Sequence, residues 1–237
     1  LLMTVIGSNA LAGASGQGGG GGYQIERSLR FEGSYMSRTP SSAGNLTTWT
    51  MSVWVKASKV TSGTGTYPAL FGANSFNGYR TFFRYTTLDT WEFYGDSNRH
   101  ATIAKYRDPS AWYHLVLKWD TTNSVANDRV ILYVNGVRQT WDNNFTANAT
   151  CGFNANVENF IGKEGDYARY LNAYLADYHF IDGQALDASD FGEYDDNNVW
   201  QPKKYSGSYG TNGFHLDFSD TSSNSCLLYT SDAADEP

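Results

Sequence analysis

Charge is scarce in this 237-residue sequence: Asp, Glu, Lys and Arg make up 17% of it, below the roughly 25% of an average soluble protein. No run of like charge exceeds the pair Asp195-Asp196, and 24 acidic residues stand against 17 basic ones, a formal charge of -7. Such a chain offers no basic footprint to phosphates, so nucleic acid is not expected as a partner. Long apolar runs are also missing. Polar or Gly positions interrupt every window of the ~18 residues that a membrane span needs, so no membrane insertion is expected. The amino end has no basic segment ahead of a long apolar stretch, and no secretion signal is expected there. Helix-length amphipathic segments are lacking, and no period of roughly 20 to 50 residues repeats, which argues against a propeller or solenoid. Cysteine is limited to Cys151 and Cys226.

Aromatics, in contrast, reach 16%, with 17 Tyr, 13 Phe and 7 Trp, a profile that suits strands and contradicts disorder. Residues 1 to 22 are small and Gly-rich, the composition of a flexible arm that cannot bury a core. From Leu29 onward, short β-branched and aromatic runs alternate with clusters of Gly, Asn, Asp and Ser. In Trp49–Lys56, side chains of period two place Trp49, Met51, Val53 and Val55 on one strand face and Trp54 on the other. Asn135-Gly136 tolerates positive φ and predicts a tight hairpin between Val130–Val134 and Val137–Trp141. Residues Ala173–Ile181 read as a strand ended by Asp182-Gly183, Leu186–Phe191 as one capped helical turn, and Phe214, Leu216 and Phe218 as a closing strand. About a dozen such strands bury their apolar faces by stacking. The expected fold is all-β, a two-sheet antiparallel jelly-roll sandwich occupying residues 23–220.

The last stretch, 221–237, is set apart. Cys226 to Glu236 resemble the conceptual translation of a sequencing adapter, so the natural sequence is expected to stop near Ser225. That reading removes Asp232, Asp235 and Glu236 from the acidic total. It leaves Cys151 as the one cysteine, which forbids an internal disulfide.

Four segments in order, Ser28–Gly33, Trp49–Val55, Trp112–Val116 with Leu132–Gly136, and Phe160–Gly162 with Ala173–Tyr178, resemble a laminin-G-like domain of the concanavalin A-like lectin and glucanase superfamily. A narrower likeness joins Gln24–Phe31, Phe180–Leu186 and Tyr209–Ser219 to tailed-phage particle proteins. These resemblances imply a sandwich that binds a glycan or host-surface polysaccharide, with other virion proteins as further partners. The location they imply is the phage particle; the alternative is a secreted or cell-surface bacterial protein. Fold likeness by itself does not fix function.

Glucanases of this superfamily carry their acid and nucleophile in a Glu-x-Asp-x-x-Glu run, which sets two carboxylates on one sugar bond. No two of the seven Glu, 26, 32, 92, 158, 164, 193 and 236, stand three to five residues apart. There is no Gly-x-Ser-x-Gly elbow, Cys151 lacks an activating signature, and the four His lack metal-ligand spacing. His114 and His179 fall within strands and read as structural. The resemblance implies calcium as cofactor, with Asp177 as first ligand because Leu175–Phe180 resembles the strand that supplies one in the glucanase relatives, and Glu32 as second; backbone carbonyls would complete the shell. The competing reading of Asp177 is a solvent-facing carboxylate. For a sugar, the segment from Tyr79 to Tyr94 concentrates aromatic faces and hydrogen-bonding groups, and Arg84 and Trp91 are its candidate ligand residues. The competing reading there is strand packing with an outward-facing Arg. Three functions follow in order: a noncatalytic adhesion domain, a structural particle-decorating domain, and a glycan-active enzyme.

Overall fold

The computed structural model describes residues 5–7, 22–57 and 67–219, so most of the Gly-rich arm and all of the adapter-like stretch lie outside the described residues. In chain order the strands are β1 (Val5–Gly7), β2 (Arg27–Glu32), β3 (Met36–Arg38), β4 (Thr48–Ala57), β5 (Ala69–Phe76), β6 (Tyr79–Tyr85), β7 (Trp91–Tyr94), β8 (Arg99–Ala101) and β9 (Tyr113–Asp120). After these come β10 (Val130–Val134), β11 (Val137–Arg138), β12 (Asn159–Ile161), β13 (Lys163–Glu164), β14 (Tyr167–Tyr170), β15 (Asn172–Asp182), β16 (Gly192–Tyr194), β17 (Trp200–Pro202) and β18 (Phe214–Leu216). An eight-stranded sheet runs β1-β2-β15-β4-β9-β10-β11, with β18 added to β15, and a six-stranded sheet runs β3-β12-β5-β6-β7-β8. Neighbours pair antiparallel throughout. Helix among the described residues is limited to two 3-10 turns, and no helix there is long and apolar enough to cross a membrane.

The alternation predicted for β4 holds. Trp49, Met51, Val53 and Val55 enter the core between the sheets, while Trp54 faces away and packs with Ala176. From the opposite sheet come Phe71, Phe83 and Phe93, and Trp49 stacks on Trp119 with ring centroids 5.4 Å apart. Burying each such side chain is worth roughly 1.5–3 kcal/mol, so a chain with no disulfide among the described residues can hold this shape. Cys151 lies in the same core, where burial pushes its thiol up to about 12; it packs as a neutral group.

The Asn135-Gly136 turn forms as predicted, with φ of 50° and 77°, but the strand after it is only Val137–Arg138 and stops short of Trp141. The predicted capped turn is the 3-10 helix Ala188–Asp190, where Asp187 and Asp190 form a capping box. The segment after β15 then crosses the outward face of the eight-stranded sheet. Phe191 packs there with Val116 and Ile181 against Trp200, Tyr205 and Tyr209. Trp200 lies so close to two glycines that a Cβ would come within 2.5 Å of its ring at Gly136 and 2.4 Å at Gly192. Beneath it, His114 is fully buried. Trp200 Nε1 can only donate, so His114 Nδ1 accepts from it at 2.9 Å and Nε2 carries the proton toward Ser52 Oγ, also at 2.9 Å. Burial pushes this imidazole down to about 3, and His114 is a neutral packing group, as the sequence suggested.

Candidate functional site

The outward face of the six-stranded sheet is built by β6 and β7. Their register pairs Phe82 with Tyr94 and Arg84 with Glu92 on one face, and Phe83 with Phe93 and Tyr85 with Trp91 on the other. The second set enters the core and the first faces out. Onto that outward face folds the β13–β14 hairpin. It can approach only because Gly72 has no side chain: a Cβ there would come within 2.4 Å of Lys163 O, and one on Gly165 within 2.5 Å of Ala73 O.

The hairpin delivers Glu164 to Arg84, eighty residues away in sequence. Arg84 donates through Nε and Nη2 to Glu92 Oε1 at 3.0 and 2.7 Å, and through Nη1 to Glu164 Oε2 at 2.9 Å. Glu164 also accepts from Arg80 at 3.1 Å and from Arg169 at 2.9 and 3.0 Å. The Arg84 guanidinium lies 4.2 Å from the centroid of Phe82 and 4.4 Å from that of Tyr67, and Arg80 lies 4.6 Å from that of Tyr167. Ion pairs this well bonded hold their neighbours in fixed positions. Around the buried centre, Arg80, Tyr94, Tyr167 and Arg169 remain partly or largely exposed, with Tyr35 and Tyr170 stacked at 6.1 Å beyond them.

The two predicted ligand residues therefore separate. Arg84 faces outward but is 1% exposed, and its guanidinium is taken up by two glutamates and two rings, so it positions the surface and is not the surface. Trp91 is corrected outright, because the register puts it on the core side, packed against Phe83, Tyr85 and Tyr106. Arg80 and Tyr94 fall within the segment from Tyr79 to Tyr94, where the sequence pointed instead to Arg84 and Trp91. It missed Tyr167 and Arg169, whose only local signal is the Glu164-Gly-Asp turn ahead of an aromatic and a basic residue.

A second cluster sits on the outward face of the eight-stranded sheet. Between Ala176 and His179 the pairing of β15 with β4 gains one residue, a β-bulge, and Asp177 takes φ of 49°. Leu175 points inward before the bulge and Tyr178 after it, so Asp177 turns out of the alternation. One edge of β15 changes partner here, from β2 to β18, which sets His215 opposite His179. Asp177 Oδ1 accepts from Tyr23 Oη at 2.9 Å and His215 Nε2 at 2.7 Å, and Oδ2 lies 3.2 Å from His179 Nε2. His179 Nδ1 meets Tyr209 Oη at 2.9 Å. Burial alone would raise the Asp177 carboxyl, but the close imidazoles of His179 and His215 hold it well below the usual carboxylate range. The Tyr23 phenol is pushed far above its ordinary range by burial and by the Asp177 charge.

The calcium pair is not brought together. Glu32 pairs across the sheet with Asn172, five positions before Asp177, which is roughly 16 Å along the strand. It is exposed and bridges to Arg30 at 3.2 Å. Asp177 is 3% exposed, which also corrects the solvent-facing alternative. Around it stand two imidazoles and a phenol, not the six to eight oxygens that calcium collects, so the residues present do not fit that ion.

Residues 32–190 match the Laminin G family described as "Concanavalin A-like lectin/glucanases superfamily". No curated protein matches the sequence. Among solved structures, the chain is similar to the binding domain of Paraclostridial Mosquitocidal Protein 1, at 13% identity over 79% of this chain and 44% of that one, with a TM-score of 0.52. It is similar also to a native heptameric SAP-like pentraxin from Limulus polyphemus, at 16% identity over 67% of this chain and 76% of that one, TM-score 0.47. Domain 4 of an extracellular arabinanase from Geobacillus stearothermophilus, solved with arabinotriose, gives 16% identity over 79% and 84%, TM-score 0.47. At such identities the likeness concerns the fold, and the chain spans less than half of the toxin binding domain.

Proposed function

Because the chain belongs to the concanavalin A-like lectin/glucanases superfamily, we propose that it is a noncatalytic glycan-binding domain that docks its ligand on the outward face of the six-stranded sheet. One observation carries this reading: partly exposed Arg80, Tyr94 and Arg169, with exposed Tyr167, ring a buried Arg84–Glu92–Glu164 centre that fixes their positions. Sugar recognition needs aromatic faces for C–H patches and fixed donors for hydroxyls, and this surface offers both. Preorganisation lowers the ordering cost of binding. Glu92 and Glu164 do meet on this face, yet both Glu164 oxygens and Glu92 Oε1 are taken up by guanidinium groups, unlike the free acid and nucleophile of a glycosidase pair.

The setting proposed is a phage particle, supported by the likeness of Gln24–Phe31, Phe180–Leu186 and Tyr209–Ser219 to tailed-phage particle proteins; the ligand there is a host-surface polysaccharide. Glycan arrays with the purified chain test the reading, with Arg80→Ala and Tyr167→Ala as variants. Retention of a glycan by the parent and at least tenfold weaker retention by both variants is the expected result. Stable incorporation into particles with no glycan retained would favour a structural, particle-decorating role, and sugar hydrolysis above background would favour an enzyme.

A further inference from the structure

The bulge of β15 brings one carboxylate and two imidazoles to a single point: ligand atoms of Asp177, His179 and His215 all lie within 4.8 Å of one another. We propose that these three residues bind a divalent transition cation, zinc above all, on the face of the sandwich opposite the glycan surface. The donor set is the first reason. Imidazole nitrogen and one carboxylate oxygen suit zinc and its first-row neighbours, whereas calcium selects oxygen alone.

Spacing is the second reason. Ligands at about 2.0–2.1 Å from a tetrahedral zinc stand about 3.3 Å from one another. At the Asp177 carboxylate, Oδ1 lies 2.7 Å from His215 Nε2 and Oδ2 lies 3.2 Å from His179 Nε2, close to that spacing, and the ligand atoms of the three residues all lie within 4.8 Å of one another. The two imidazole rings stack with centroids 4.1 Å apart and planes 5° from parallel, so both can ligate one ion once the partly exposed His215 ring turns toward it.

The third reason is a polar atom without a hydrogen-bond partner. His179 is 3% exposed, and its Nε2, although close to Asp177, makes no well-aligned hydrogen bond. A buried polar atom left in that state is costly. Its other nitrogen meets the Tyr209 hydroxyl, and with Nδ1–H donating there the Nε2 lone pair points into the cluster, the arrangement in which a second hydrogen bond orients a ligating His. His215 has 27% of its side chain exposed, so ions reach the site from solvent, and three protein ligands leave the fourth position to water. Bound metal would fasten β18 to β15 where the edge of β15 changes partner.

The test uses the whole chain stripped of metal, titrated at pH 7.5 with zinc chloride and, separately, calcium chloride, and read by calorimetry and thermal unfolding. One equivalent of zinc is expected to bind with a Kd in the micromolar range or tighter and to raise Tm, while calcium does neither. His215→Ala, at a partly exposed position that leaves the fold intact, is expected to weaken zinc at least tenfold, as is Asp177→Asn. Cobalt chloride should give the intense visible absorption of a tetrahedral site in the parent and lose it in His215→Ala. The proposal is overturned by the absence of zinc binding, by zinc binding of equal strength in both variants, or by a rise in Tm with calcium that depends on Asp177. Failure here leaves the glycan reading untouched, since that face lies on the other sheet.

Discussion

The outward faces of the two sheets arise from the same strand alternation and end up chemically opposed. On the six-stranded sheet, charge is concentrated and internally paired: Arg84 sits at 1% exposure between Glu92 and Glu164, and the remaining arginines and tyrosines look outward. On the eight-stranded sheet, the segment from Leu186 to Tyr209 lies over the strands, and His114 beneath it is stacked between Trp54 and Trp200. What covers a face decides what its polar residues can do. A covering segment with no counter-charge makes an imidazole a neutral spacer, whereas a short hairpin that brings its own carboxylate pairs guanidinium groups beside open solvent.

The contrast breaks most visibly if the counter-charge is removed. Arg84→Ala leaves two glutamates without their central partner and should cost about 3–5 kcal/mol in denaturant unfolding. The combination Arg84→Met, Glu92→Gln, Glu164→Gln should recover more than half of that loss while abolishing glycan retention. Acidification acts on the other face. The folded pKa of His114 lies at about 3, below the ordinary 6.5, so the unfolded chain binds more protons between these values and stability falls as pH drops through that window. From pH 7 to pH 5 this one group should cost about 2 kcal/mol in unfolding free energy. The His114 ring signals should meanwhile stay those of the neutral tautomer by NMR. Gly136→Ala should cost about 1–3 kcal/mol, since φ is 77° and the new methyl group meets Trp200; the same unfolding assay reads it. The smallest change in stability belongs to Tyr167→Ala, within about 0.5 kcal/mol because the ring is largely exposed, and there the loss should appear in glycan retention alone.

Much of the sandwich was legible because its signals are local. Alternation in Trp49–Lys56, the Asn135-Gly136 turn and the Asp187 cap each depend on neighbours in sequence, and the ordered resemblance of four segments supplied the family. The site was less legible because it depends on register. Arg84 and Trp91 both belong to aromatic-rich strands, and only the pairing of Tyr85 with Trp91 reveals that they face opposite ways. Asp177 lay beyond period-two reasoning for a different cause: the inserted residue at the bulge shifts every later side chain of β15 by one face. The partnership of Arg84 with Glu164 is not local at all. It follows from a close backbone approach at Gly72 that no pattern of polarity announces.

That close approach gives the β13–β14 hairpin an unusual freedom. It is moored by close backbone approach at Gly72 and Gly165 and by buried Glu164, while its tip residues Asp166, Tyr167 and Ala168 take no part in the core between the sheets. Such a hairpin behaves as an exchangeable cassette. Its tip can drift in sequence, and with it the surface on offer, without disturbing the core between the sheets.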